Sequence, residues 1–347
     1  MDILTPPYPE ATEMDVPPPK ISNPSPTTLP EAAAALGDFE DKFAEVGTCA
    51  STGKRVTICY NTFGDPSHPC LLLVQGLSAS LLAYPLRFVQ HFVDQGYYVI
   101  RYDNRDTGLS TSFDEFGTPA PIRLGLPRWM SIGERLSYNL QDIMEDGIGL
   151  LTALNIRHAH IFGMSMGGMI VQLMAIHHPE RVLSLNIFCS HAGGADTVSP
   201  GLLHYARLLV KPRSNSIEDR VEHMVWLFNY LGQGTYKKER EEVQIFVTGT
   251  YNRSGNFNDN GKWRQAAAVL RAPSRANGLS KLKCPTLIIH GTKDPLIPVA
   301  NGYRLAELVP NAKLVIFPRL GHDLPLALLK TIADEVLLNM RYVEPTE

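Results

Sequence analysis

The sequence predicts an α/β protein: a mostly parallel central sheet with helices on both faces. Three observations predict it. Continuous apolar runs such as "CLLLVQG" (70–76) suit strands buried on both faces. Stretches of helical spacing follow them and end at glycine or polar residues. The two kinds alternate at the short intervals that parallel strand–helix–strand units need. At 347 residues the chain has room for one large core carrying an insertion.

Residues 1–36 hold nine of the 26 prolines and few aromatics. Such a segment buries too little surface to offset its ordering entropy and is expected as an extended or mobile arm. "RVTICYN" (55–61) is the first strand, and "CLLLVQG" the next. "YPLRFVQHFVDQG" (84–96) has helical spacing and stops at a glycine, and "YYVIRYD" (97–103) is strand-like again. "IGERLSYNLQDIMEDGIGLLTALN" (132–155) is a long helix behind Ser131, its expected N-cap. "HAHIFGMS" then reads as strand, "MGGMIVQLMAIHHP" as helix and "VLSLNIFCS" as strand. The alternation breaks over 194–277, which is polar, aromatic-bearing and partly helical. It resumes with "CPTLIIHG" (284–291), a helix near 300–308, "AKLVIFP" (312–318) and a last helix from about 325. The organisation is therefore a core of 37–193 and 278–347, interrupted by a cap insertion of 194–277.

A formal charge of −3 and 19% charged residues give no reason to expect a nucleic-acid partner, and no apolar run reaches the roughly eighteen residues that span a bilayer. The five cysteines are scattered and form no CxxC pair, which speaks against a disulfide framework or a zinc site. The opening residues lack a basic leader and an apolar h-region, so the cytosol is the expected compartment. The oligomeric state is left open.

"GMSMG" (163–167) carries the chemistry. Gly-x-Ser-x-Gly between a strand and a helix describes a sharp corner that holds a serine hydroxyl outward. Gly163 and Gly167 are needed there because Cβ atoms would collide where the chain folds back. A serine hydroxyl needs a base, most often histidine, and a carboxylate to orient that base. "IIHGTKDPLIP" (288–298) puts Asp294 just past a buried strand, and "IFPRLGHDLP" (316–325) puts His322 past the next one. "LLLVQGLSAS" (71–80) ends a strand at Gly76, so the backbone N–H of Leu77 can join that of Met166 as an oxyanion site. All of these lie at the edge where open α/β sheets bind ligands.

Other readings compete. Asp294 fits the N-cap of the 300–308 helix. Asp142 and Asp146 are rival acids within a helix. Asp103 and Arg105 fit a buried pair bracing the loop beside the oxyanion site. His290 lies on a strand as core or support, and the basic residues of 207–240 fit a solvated face. Trp129, Trp226, Phe228, Tyr230 and Trp263 suit either an apolar pocket wall, with the loop 113–130 beside it, or the cap's own packing.

The order Ser165, Asp294, His322, together with "DNRDTGLS" (103–110), "GMSMGGMI" and "GHDLP", resembles α/β-hydrolases of the esterase, perhydrolase and proline-iminopeptidase group. Aclacinomycin methylesterase-like hydrolases are particularly similar. The resemblance covers roughly 45–193 and 280–340. Members often have His-Gly where this chain has Gln75-Gly76. The resemblance implies the α/β-hydrolase fold and a serine esterase of lipase-like type acting through an acyl-enzyme on a small-molecule ester, with an apolar acyl or alcohol part. It implies no cofactor and no metal. Peroxide-dependent perhydrolysis or halogenation, N-terminal proline cleavage, and ligand binding without catalysis are the alternatives on the same scaffold.

Overall fold

Eight strands form one sheet in the computed structural model of the chain, which describes residues 39–120, 136–201, 204, 207, 210–236, 238–255 and 258–343. They are β1 (Lys42–Thr48), β2 (Arg55–Phe63), β3 (Cys70–Val74), β4 (Tyr98–Tyr102), β5 (Ala159–Met164), β6 (Val182–Phe188), β7 (Thr286–Gly291) and β8 (Lys313–Phe317). Their spatial order is β1-β2-β4-β3-β5-β6-β7-β8. Pairing is antiparallel from β1 to β4 and parallel from β4 to β8. The α/β expectation holds. The proline-rich arm of 1–36, Trp129 and Ser131 lie outside the described residues.

The strand period of two divides the core. Leu72 and Val74 of β3 face one apolar cluster, with Ile100, Ile161 and Ile288 of neighbouring strands. Leu71 and Leu73 face the other, with Val99, Phe162 and Ile289. Helices α2 (Leu140–Ala153) and α3 (Met166–His177) cover the first face. Helices α1 (Leu86–Val93) and α9 (Leu329–Met340) cover the second and touch each other. Both faces are dry, so the central strands do not alternate: β3 is an unbroken apolar run, and the polar residues of its neighbours, such as His160 and Asn186, are buried and hydrogen-bonded.

Three elements differ from expectation. β1 was not foreseen: it is an edge strand whose charged Lys42 and Glu45 and half-exposed alternation mask its apolar side. Helix α2 begins at Leu140, not 132. Residues 136–139 are not helical, and Asn139 is the cap, its side chain accepting from the amides of Gln141 and Asp142 while Asp142 answers its own amide. The last α-helix starts at Leu329, after a short 3₁₀ turn at Leu326–Leu328.

Between β6 and β7 run α4 (Ile217–Leu231), α5 (Arg240–Ser254), α6 (Asp259–Leu270) and the one-turn α7 (Ala276–Leu279); α8 (Ala300–Leu308) follows β7. The first two of these pack through a small apolar cluster of their own, Val221, Val243 and Val247, with Phe228 and Phe246 at its border. Trp226 is instead 39% exposed and stacks between His223 and Tyr230.

His160 of β5 makes the core acid-sensitive. It is buried with Nδ1 on the Ser184 hydroxyl at 2.8 Å, and burial pulls its pKa from 6.5 down to about 4. The unfolded chain therefore takes up this proton first, so stability falls as pH drops through the window from 6.5 to 4, by about 3 kcal/mol in all. Urea unfolding at pH 7 and pH 5 should show the loss, and His160→Gln should reduce it by about 2 kcal/mol. An equal loss in the variant would mean that other groups cause it.

Candidate active site

Ser165 sits between β5 and α3 with φ 57° and ψ −119°. A serine that begins a helix ordinarily adopts extended angles and caps an amide one turn on. This one makes no side-chain cap bond. The left-handed φ carries a cost in backbone strain that the surroundings must hold. They do so from β6: the Ser165 amide donates to the Phe188 carbonyl at 2.9 Å, and the Ser190 hydroxyl donates to the Ser165 carbonyl at 2.8 Å.

The corner is tight on every side. A Cβ on Gly163 would lie 2.3 Å from the Gly167 carbonyl oxygen, and one on Gly167 would lie 2.1 Å from that of Val74. The loop after β3 therefore rests directly against the corner, with the Cβ position of Gly76 3.6 Å from Ser165 Cβ. Leu77 follows Gly76 in that loop, and Met166 is the first residue of α3. The first N–H groups of a helix have no intrahelical partner and sit at its positive end.

Two strands away, Asp294 leaves β7. Its Oδ1 accepts from the Leu296 and Ile297 amides at 2.9 and 2.7 Å. Its Oδ2 receives His322 Nδ1 at 2.7 Å. The N-cap reading of Asp294 is thereby corrected: α8 begins at Ala300 and Asp294 caps only its own turn. Burial alone would raise its pKa. The facing charge of His322, with hydrogen bonds from His290 and His322, outweighs burial and holds the carboxyl well below the usual range. His290 is buried in β7, with Nε2 on the Ile297 carbonyl at 2.7 Å and 3.5 Å from Asp294 Oδ2.

His322 is held from the insertion. Its amide donates to the Leu231 carbonyl, the last residue of α4, at 2.8 Å. A Cβ on Gly321 would overlap that same oxygen, so glycine is required before the histidine. Beyond it, Asp323 lies 3.3 Å from Lys238 Nζ, which also meets Glu242. The expected solvated face at 207–240 is thus corrected in part: Lys238 and Arg220 are largely buried, the latter on Asp259.

One cluster of potential metal donors exists among the described residues: Cys189, Asp294 and His322, with atoms within 4.8 Å of one another. The carboxylate and imidazole already bind each other. Burial first, then the neighbouring Asp294, push the Cys189 thiol far up, so the thiolate a metal needs is disfavoured.

The expected Asp103–Arg105 pair does not form. Arg105 turns to Asp146 of α2 at 2.6 and 2.7 Å, which also removes Asp146 as a rival acid. Asp103 accepts from the Leu81 amide at 2.7 Å and from Arg253 of α5 at 2.6 Å. Asp103 and Arg105 thus each meet an opposite charge, but on different elements, α5 and α2. Asp106 in turn takes Arg264 of α6 bidentately, both distances 2.7 Å. Removing one partner of such a buried pair strands the other. Arg264→Met should cost about 3–5 kcal/mol in urea unfolding; a loss under 1 kcal/mol would show that the pair is not a fixed joint.

Two residues near the site went unread in the sequence. His191, just after β6, is neutral: burial, then the Arg275 charge, lower its pKa to about 3. Its Nδ1 accepts from the Gly193 amide and meets the Thr197 hydroxyl, both at 3.0 Å. Its place one residue past a strand-end serine was the available signal. Gln265 of α6, fully buried, bonds to three groups of the core loops.

A family model described as the alpha/beta hydrolase fold matches residues 69–326. A rhodomycin D methylesterase from Streptomyces sp. (strain C5) is 28% identical over 315 residues, covering 84% of this chain and 97% of that protein. A 2-hydroxy-6-oxononadienedioate/2-hydroxy-6-oxononatrienedioate hydrolase from Burkholderia vietnamiensis is 28% identical over 272 residues, covering 78% and 86%. Among solved structures, the 2-hydroxy-6-oxo-6-phenylhexa-2,4-dienoate hydrolase from Rhodococcus sp. strain RHA1 superposes with a TM-score of 0.65 at 19% identity, covering 88% of this chain and 99% of that one. No helix among the described residues is long and apolar enough to cross a membrane.

Proposed function

This chain belongs to the α/β-hydrolase fold family, and from that premise we propose that it is a serine hydrolase of small-molecule carboxylic esters. The observation that carries the reading is the 2.7 Å bond from His322 Nδ1 to a carboxylate held ionised, in a sheet that carries, two strands away, a serine corner whose side chain makes no cap bond. With Nδ1 committed to Asp294, Nε2 is the nitrogen left to accept a proton.

Ser165 attacks the ester carbonyl as His322 takes its proton. The charge that develops on the carbonyl oxygen meets the N–H groups of Leu77 and Met166, the second of which lies at the positive end of α3. His322 then protonates the departing alcohol and activates the water that releases the acid. Asp294 fixes the ring throughout. The insertion is assigned as a cap in this reading, and α4 also supplies the carbonyl that holds the His322 loop.

Methyl esters are the preferred substrate class in this reading. The rhodomycin D methylesterase spans more of this chain than the dienedioate hydrolase does, 84% against 78%. Carbon–carbon hydrolysis of a vinylogous diketo acid is the second reading, favoured by that other relative. A kcat/KM series over methyl, ethyl and nitrophenyl esters and one such diketo acid separates them. Fluorophosphonate labelling followed by peptide mass analysis should place the adduct on Ser165. A folded protein that takes no label there and hydrolyses no ester refutes the proposal.

A further inference from the structure

The loop that would supply the Leu77 amide contains a residue in an unfavourable conformation. Ser78 has φ 57°, which a side chain bearing Cβ adopts only at a cost. Rotating the Leu77–Ser78 peptide would relieve it. That rotation changes ψ of Leu77 and lets 76–78 drift from the corner against which Gly76 is packed. Something must hold the Ser78 N–H in its present direction.

Gln265 does so. Its Oε1 accepts from the Ser78 amide at 2.8 Å. Its Nε2 donates to the Arg105 carbonyl at 2.7 Å and to the Thr107 hydroxyl at 2.9 Å. The two donor bonds fix the amide plane, and the plane aims the acceptor. Arg105 is itself anchored by the buried Asp146, so the chain Asp146–Arg105–Gln265–Ser78 runs from α2 to the loop through rigid parts. A further tether, Asn104 Nδ2 to the Gln75 carbonyl at 3.1 Å, holds the loop's start, and Gln75 Nε2 reaches the Leu81 carbonyl at 3.2 Å across its far side.

We propose that Gln265, reaching from the insertion, is a positioning residue of the oxyanion site: it holds the Ser78 peptide so that the Leu77 N–H stays aimed at the reacting carbonyl oxygen. The inference rests on the serine-hydrolase reading above. It makes the insertion part of the catalytic geometry as well as a cover. Gln265 touches no substrate. Its contribution is realised where negative charge develops, because a misdirected donor costs most when the oxygen is charged.

Gln265→Met keeps the volume and removes all three hydrogen bonds. On the best ester it should lower kcat roughly 10- to 100-fold with KM within about threefold of wild type. The inhibition constant of a trifluoromethyl ketone, which forms an oxyanion adduct with the serine, should rise in the same proportion as kcat/KM falls. A plain ketone of the same shape should bind unchanged. Thr107→Val removes one anchor only and should show the same split at a few-fold size, even where the Met variant folds poorly. An unchanged kcat in folded Gln265→Met, or a rise in KM with the trifluoromethyl ketone unaffected, overturns the proposal. Ser165→Ala runs beside these variants. If it retained full activity, the serine reading would fall first and this inference with it. If it is inactive while Gln265→Met is normal, only the positioning role falls.

Discussion

Ser165→Ala lowers kcat/KM on the best ester by about four orders of magnitude or more, and the melting temperature moves by no more than about 2 °C. The first half follows from the division of labour at the corner. In the proposed mechanism no acyl-enzyme forms without the oxygen, and the remaining rate is what two amides and substrate binding give to water attack. The second half follows from the geometry of Ser165 in particular. Removing a serine that caps a helix costs about 1 kcal/mol. Here the hydroxyl makes no cap bond, so that cost is not incurred. The corner's supports are backbone atoms, namely the Ser165 amide on Phe188 and the Ser165 carbonyl under Ser190, and alanine retains both. The measurement is steady-state hydrolysis on preparations matched by circular dichroism, with fluorophosphonate labelling as a count of competent sites. A variant that keeps its rate refutes the serine's role. One that loses several degrees of stability along with its activity would make Ser165 a structural cap after all.

What the sequence disclosed and what it hid divide along physical lines. Buried strands such as β3 and β7 were legible because both their faces are dry, so each carries a continuous apolar stretch, "CLLLV" and "LII", in place of alternation. β1 was hidden by the opposite condition, an edge position where Phe43 and Glu45 face water and only short or charged residues, Lys42, Ala44 and Val46, lie on the half-buried face. Ser165, Asp294 and His322 could be proposed from sequence because each follows the end of a strand, β5, β7 and the half-buried edge strand β8. Side-chain partners were not. Asp103 and Arg105 look like a pair by spacing, yet their partners come from Arg253, 150 residues on, and Asp146, 41 residues on. Nothing local encodes those distances. The same holds for Gln265: nothing in "KWRQAAAVL" sets it apart, and it is fully buried against loops 158 to 187 residues earlier. The start of α2 failed for a local reason: helical periodicity continued upstream of Asn139, and the reciprocal bonds between Asn139 and Asp142 set the boundary that periodicity alone does not.

Asp294→Asn lowers kcat about 10³- to 10⁴-fold although it changes one atom in a buried side chain. The carboxylate uses both oxygens as acceptors, Oδ1 for the Leu296 and Ile297 amides and Oδ2 for His322 Nδ1–H. Asparagine offers one acceptor and one donor group, so it has two ways to sit. With its oxygen on the two amides, its NH₂ points at Nδ1 and forces the proton onto Nε2, the nitrogen that must be bare to accept from Ser165. With its oxygen on Nδ1, the NH₂ faces two backbone N–H groups and the turn loses both bonds. The first arrangement keeps more bonds and is the one expected, which makes the defect one of tautomer, with binding intact: kcat falls and KM holds. Linkage supplies an independent check. The native Asp294 is held below its unfolded value of 3.8, so it adds stability above that pH and loses it as pH falls through the folded value. Asparagine has no such proton to take up, so the stability difference between wild type and variant should narrow steadily below pH 4, read by urea unfolding at a series of acid pH values. A constant difference would mean that the aspartate–histidine pair gives the folded state no electrostatic advantage, and an unchanged kcat would remove Asp294 from the proposed triad altogether.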